Sequence, residues 1–214
     1  MRPPSYAKKY PRTPHLPWSP GWSDDDIFHS SASSQFEHHE VVITEKMDGE
    51  NTTMYDTYIH ARSLDSRHHD SRSWVKNLHH SIKHLIPKGW RICGENLYAK
   101  HALHYTNLTS YFMVFAIFDD HDTMLSFEDT LEWCELLSLD HVPVLYQGPW
   151  DTALVRNINV DTSTSEGYVV RLASAFSCED FSTSVAKWVR KGHVQSDQTH
   201  WMYSEITPNI LSEH

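Results

Sequence analysis

One lysine stands out for its setting. Thr44-Glu45-Lys46-Met47-Asp48-Gly49-Glu50-Asn51 passes from an apolar stretch through a lysine into an Asp-Gly turn. Asp-Gly favours tight turns, so a plain hairpin with a surface lysine would write the same string. The chemical alternative is a nucleophilic amine fixed at a strand end. An amine attacks only when neutral, and a free lysine has a pKa of about 10.4. Burial, cationic neighbours or a metal ion must then offset the charge. Histidines are a second chemical candidate. Among 17 of them, His80 and His84 have the i, i+4 spacing of a helical zinc pair. Lys83 lies between them and no third ligand is indicated, so solvated side chains explain them better.

The elements that must position Lys46 can be read from periodicity. Glu40 to Glu45 and Thr52 to Ile59 read as strands on either side of the turn. Trp74, Leu78, Ile82 and Leu85 fall at helical spacing, with Ser73 as a candidate cap. Arg91 to Glu95 and Tyr111 to Phe118 read as buried strands. Ser126-Phe-Glu-Asp129 resembles a capping box before a helix carrying Leu131, Cys134 and Leu137. His141 to Tyr146, Gly167 to Leu172 and Ser184 to Arg190 are further strands. Strands outnumber helices and few βαβ units are visible. The expected fold class is α+β, with mainly antiparallel sheets and flanking helices. Six of the ten prolines lie in the first 20 residues, so residues 1–36 read as an extended proline-rich arm and 37–214 as the folded domain. Trp18 and Trp22 suggest that the arm lies across the globule.

Composition excludes several classes. Hydrophobic residues make up 39% of the 214, with 8 Trp, 10 Tyr and 8 Phe, too many for a disordered chain. The longest apolar run, Tyr111 to Phe118, is too short to span a bilayer, and no signal peptide is visible. Three widely spaced cysteines give neither a disulfide framework nor a thiolate zinc site, which suits a reducing cytoplasm. The net charge of −10 is unevenly spread. Residues 62–100 hold eight Lys/Arg and three acids, whereas residues 101–155 hold nine acids and no Lys or Arg. Such segregation fits either a soluble surface with uneven patches or a basic cleft on an acidic body, able to steer a polyanion.

Taken in order, these segments resemble the covalent nucleotidyltransferases. Lys46-Met-Asp48-Gly49 is similar to their KxDG motif. His60-Ala-Arg62-Ser63 is similar to the arginine motif, and Cys93-Gly94-Glu95-Asn96-Leu97 to the GE motif. Tyr111 to Asp119 resembles the aromatic strand after it, with Phe115 at its centre. Ser165-Glu166-Gly167-Tyr168-Val169-Val170 is similar to EGxV, and Val185 to Lys191 to the final lysine motif. The likeness covers residues 40–192, and several weak motifs in order make a strong signal. Glu45-Lys46-x-x-Gly49-x-Asn51 most resembles the ATP-dependent RNA ligase family that includes the second bacteriophage RNA ligase type. With 23 residues after Lys191, no C-terminal OB domain is expected, and no NAD-specific domain is visible ahead of the motifs.

The resemblance implies a lysyl-AMP intermediate on Lys46. AMP would then pass to an RNA 5′-phosphate, and a 3′-hydroxyl would displace it. ATP and a divalent metal, Mg²⁺ or Mn²⁺, are the implied cofactors. Asp48 and Glu166 would hold the metal through water. Lys187 would contact the α-phosphate, with Arg190 or Lys191 as the second cation. Period two puts Lys187 and Lys191 on one strand face and Arg190 on the other. Glu95 would accept from the ribose and Phe115 would stack on adenine. Arg62 would meet ribose or the incoming strand, with Glu45 and Asn51 completing the nucleotide contacts. The cationic stretch Arg62 to Lys100 and its histidines would face RNA. An accessory RNA-binding protein could supply further grip, and no membrane partner is implied. Two alternatives stand beside this: a compact DNA ligase or AMP transferase on another acceptor, and a non-catalytic nucleotide- or RNA-binding module.

Overall fold

The computed structural model describes residues 3–22, 26–27, 34–66, 68–192 and 205–213. The chain is α+β, with mostly antiparallel sheets and few helices. Strand β1 (Glu40–Lys46) ends at the lysine, and the turn after it leads into β2 (Glu50–Met54) and β3 (Ile59–Ala61). Helix α1 (Ser73–Ile82), β4 (Arg91–Asn96), β5 (Phe112–Phe118), β6 (Thr123–Met124) and α2 (Phe127–Leu137) follow. The chain continues through β7 (Asp140–His141), β8 (Val144–Pro149), α3 (Thr152–Arg156) and β9 (Gly167–Leu172). It closes with β10 (Phe176–Ser177), α4 (Phe181–Ser184) and β11 (Val185–Val189). One sheet has the order β11-β9-β1-β8, the other β10-β6-β5-β4-β2-β3, with β7 pairing parallel to β5. The turn after Lys46 thus carries the chain from one sheet to the other.

Beneath the second sheet, α1 packs Val75 and Ile82 against Met54, Ile92 and Val114 in one buried cluster. Burying a side chain of that size stabilises by roughly 1.5–3 kcal/mol. Strand β5 is buried on both faces, which is why it reads as one apolar run. Phe112, Val114 and Ile117 join the α1 side, while Ala116 and Phe118 join Phe176, Phe181 and Val185 on the other.

Three local expectations are corrected. Thr52 to Ile59 is not one strand, because a turn lets Tyr55 N–H donate to Tyr58 O and separates β2 from β3. His141 to Tyr146 divides between the sheets as β7 and β8, with Pro143 at the break. Ser73 is the first residue of α1 rather than its cap; a short 3-10 turn, Asp70–Arg72, precedes the helix and His69 caps that turn by accepting from Ser71 N–H. The Ser126 cap is present: its Oγ accepts the Asp129 N–H at 3.0 Å. α1 ends at Ile82, so His80 and His84 do not share one regular helix, and both are exposed. Among the described residues no helix is long and apolar enough to cross a membrane.

The proline-rich arm packs against the body. Leu16 is fully buried beside Val41, Ile43 and Tyr168. Leu16 N–H donates to Lys187 O at 2.8 Å and Lys187 N–H to Pro14 O at 2.9 Å, so the arm pairs with the outer edge of β11. Trp18 Nε1 donates to Tyr168 Oη at 3.1 Å.

Candidate active site

Between the two sheets lies a cavity of about 560 Å³, and the notable lysine stands in its wall. Its floor comes from one face of the first sheet. Thr44 and Lys46 of β1, Val169 and Arg171 of β9, and Val185 and Lys187 of β11 all line it, two residues apart on each strand. Its roof comes from the second sheet and includes Asn51, Glu95 and Phe115.

Two glycines permit this approach. At Gly49 an added Cβ would sit 2.5 Å from Asn96 O, which would push the turn off β4. At Gly167, with φ +154°, it would sit 2.0 Å from Trp188 O and force β9 from β11. Phe115 owes its direction to a bulge. Cys93 pairs with Ala116 and Gly94 with Val114, so Phe115 is the extra residue and turns into the cavity opposite Val169. Tyr10 of the arm packs edge-on against it at 5.0 Å.

Lys46 Nζ lies 2.6 Å from Glu166 Oε2, and Glu166 is almost fully buried. Burial works against the ammonium, but Glu166, Glu95 and Asp48 outweigh it, and the Lys46 pKa is raised. Burial pushes the Glu95 carboxyl up to about 8, with Lys46 opposing and Glu166 and Asp48 adding to the rise. Its Oε1 accepts the Gly49 N–H at 3.2 Å. Asp48 is held by its backbone and its carboxylate: its N–H donates to Tyr105 Oη at 2.9 Å, and its Oδ2 accepts the Leu103 N–H at 2.7 Å. Burial raises the Glu45 pKa, opposed by a hydrogen bond from Ser165. Asn51 Oδ1 is buried with no hydrogen-bond partner.

Lys187 is mostly buried, 3.2 Å from Asp26 of the arm. Burial lowers its pKa, and the nearby Lys46 lowers it further. The structure therefore brings Glu45, Lys46, Asp48, Asn51, Arg62, Glu95, Phe115, Glu166 and Lys187 to one cavity. The side chain of Arg190 is not among the lining; its Nε is buried without a partner, and its backbone N–H donates to Glu166 O at 3.1 Å. Lys191 is exposed beyond the strand.

Several lining residues were not expected. Tyr10, Arg12 and Asp26 come from the arm, and His101 from the loop after β4. Arg72 closes one side, paired to Glu50 through Nε at 2.7 Å and through Nη2. The expected basic cleft is corrected: seven acids and six Lys/Arg line the cavity together, and Lys46, Arg72 and Lys187 are each paired with a carboxylate. The one signal for the arm was its pair of tryptophans, which gave packing but not the residues that reach the cavity.

A half-buried lysine, surrounding carboxylates and an aromatic wall make a cavity suited to an anionic, planar-based ligand. Among solved structures, a lysine-to-alanine variant of Naegleria gruberi RNA ligase with ATP and Mn is similar with TM-score 0.58 and 15% identity, over 87% of this chain and 57% of that one. The same ligase with PPi gives TM-score 0.58 and 16% identity, over 87% and 56%. A glutamate-to-alanine variant with AMP and Mn gives 0.56 and 13%, over 87% and 56%. This chain thus spans little more than half the length of those structures, and the likeness at such identity is one of fold. No curated protein sequence matches. The family model described as RNA ligase matches residues 39–189, a stretch that begins just before β1 and ends with β11 and so contains the whole floor and roof of the cavity; the chain belongs to the RNA ligase family.

Proposed function

We propose that the protein is an ATP-dependent RNA ligase that joins 5′-phosphate and 3′-hydroxyl ends through a lysyl-AMP intermediate. The observation that carries this reading is the position of Lys46 Nζ, inside the cavity and 2.6 Å from Glu166. The similar Naegleria gruberi structures with ATP, AMP and Mn support the nucleotide and the metal.

In the first step the Lys46 nitrogen attacks the α-phosphorus of ATP. A P–N bond forms, the bond to the β-phosphate oxygen breaks, and pyrophosphate leaves with its electron pair. The Lys46 proton must depart first, and Glu166 is the acceptor in contact. Lys187 faces the developing charge on the α-phosphate, Phe115 and Val169 enclose the base, and Glu95 meets the ribose. AMP then passes to a 5′-phosphate end, and a 3′-hydroxyl displaces it to seal the strand.

Asp48 and Glu166, with the unpartnered Asn51 Oδ1, are hard oxygen donors lining one cavity, the donor type that fits Mg²⁺ or Mn²⁺, and they would hold the ion through water. A bound divalent ion supplies positive charge that neutralises phosphate oxygens and favours the free amine of Lys46.

Intact-protein mass spectrometry after incubation with ATP and Mg²⁺ tests the reading. A gain of one AMP is expected in the wild type and none in Lys46→Ala. ATP binding with no adduct would instead support a non-catalytic module. Nicked RNA, nicked DNA and mixed duplexes then fix the acceptor; faster sealing of nicked DNA than of every RNA 3′-hydroxyl substrate would overturn the RNA assignment.

A further inference from the structure

The arm reaches the cavity through a connected series of side chains. Residues 14–16 pair in parallel with β11, so that His15 lies beside Lys187. The His15 N–H donates to Ile27 O at 2.9 Å, and this clamps Asp26 and Ile27 against the same place. Asp26 Oδ1 then stands 3.2 Å from Lys187 Nζ and 3.2 Å from His15 Nε2. Behind them Ser19 Oγ is 2.8 Å from His15 Nδ1 and accepts the Val189 N–H at 2.9 Å.

A backbone N–H can only donate, so Ser19 Oγ accepts from Val189 and keeps its own proton and a second lone pair for His15 Nδ1. In the tautomer in which Ser19 donates to Nδ1, His15 carries its proton on Nε2, the nitrogen that faces Asp26. The ring is fully buried, and burial favours this neutral form. Asp26 is left with its charge turned to Lys187. That lysine needs such a partner, because it is buried and shares the cavity with the Lys46 ammonium. An ammonium has three N–H groups; one directed at Asp26 leaves the others for the cavity.

We infer that Asp26, held by His15 and Ser19, is a positioning residue that fixes Lys187 toward the phosphate of the bound nucleotide, so that the N-terminal arm is a working part of the adenylylation site. The inference rests on the ligase reading above. It makes the arm necessary for the first chemical step although the arm lies outside the segment matched by the family model.

Single-turnover formation of lysyl-AMP at saturating ATP and Mg²⁺ tests it, in wild type, Asp26→Asn, Lys187→Ala and the double variant. Asp26→Asn is expected to lower the rate constant about tenfold, the effect of one charge-assisted contact. In the Lys187→Ala background the same change is expected to add less than about twofold, because its target is gone. Asp26→Glu keeps the carboxylate and is expected to stay closer to wild type than Asp26→Asn. A rate within twofold of wild type for Asp26→Asn overturns the inference. So does an equal loss in both backgrounds, which is the signature of a purely structural role. A wild type that forms no lysyl-AMP overturns the ligase reading itself, and that outcome is distinct from both.

Discussion

Replacing Glu95 by glutamine isolates the carboxyl group at the centre of the cavity. Burial is the main cause that pushes it up to about 8, from 4.5 in a free side chain. The folded protein therefore holds this proton more tightly than the unfolded chain does. The resulting contribution to stability is fully present below about pH 4.5 and is lost progressively until the pH passes about 8. Between pH 6 and 8 the unfolded carboxyl is ionised while the folded one is still mostly protonated. Each pH unit then costs the folded state up to about 1.4 kcal/mol, or about 2 kcal/mol over the interval. Glutamine keeps the oxygen that accepts the Gly49 N–H and has no proton to lose. For a chain of this size about 2 kcal/mol corresponds to roughly 4–8 °C in Tm. Paired thermal melts by circular dichroism at constant ionic strength read the effect. The Tm of Glu95→Gln minus that of the wild type should widen by that amount from pH 6 to pH 8. Groups that titrate alike in both proteins cancel in the difference. A gap that stays constant, or narrows, would refute the claim that burial governs this carboxyl.

Three other outcomes are expected. Gly167→Ala places a Cβ 2.0 Å from Trp188 O at φ +154°, so β9 and β11 must part; a loss of at least about 2 kcal/mol is expected in urea unfolding. Leu16→Ala removes a fully buried side chain of the arm and should cost about 2–5 kcal/mol by the same measurement, whereas an arm merely resting on the surface would give almost nothing. Ser126→Ala removes the cap of α2 and should cost about 1 kcal/mol, visible as a lowered Tm.

The part of the cavity around Lys46 and Glu166 was legible because its residues are tied to local signals. Lys46, Asp48 and Gly49 lie in one turn, and the close contact of Gly49 with β4 allows no side chain there. Glu166 and Gly167 form another such pair at the start of β9. Strand alternation placed Lys187 on the cavity face and Arg190 on the other. The bulge at Phe115 was hidden, because a strand buried on both faces loses the alternation that would reveal register. The break between β7 and β8 was hidden for a similar reason: Val142 and Val144 are both apolar, and only the sheet each strand joins tells them apart.

The arm was legible as extended but not as part of the site. Proline fixes φ and removes donors, which predicts an irregular path but says nothing of where that path ends. Asp26 meets Lys187 across 161 residues of sequence, and Tyr10 meets Phe115 across more than a hundred. Contacts of that kind depend on sheet order, which periodicity does not encode. Charge segregation misled for the same reason. Residues 62–100 are cationic in sequence, yet Arg72 turns to Glu50 and Arg91 to Asp122, so their charge is spent inside the fold. A cation count along the chain thus measures the surface only after the buried pairs have been removed. Among the described cations of that stretch, Arg62 is the one that is both exposed and in the cavity wall.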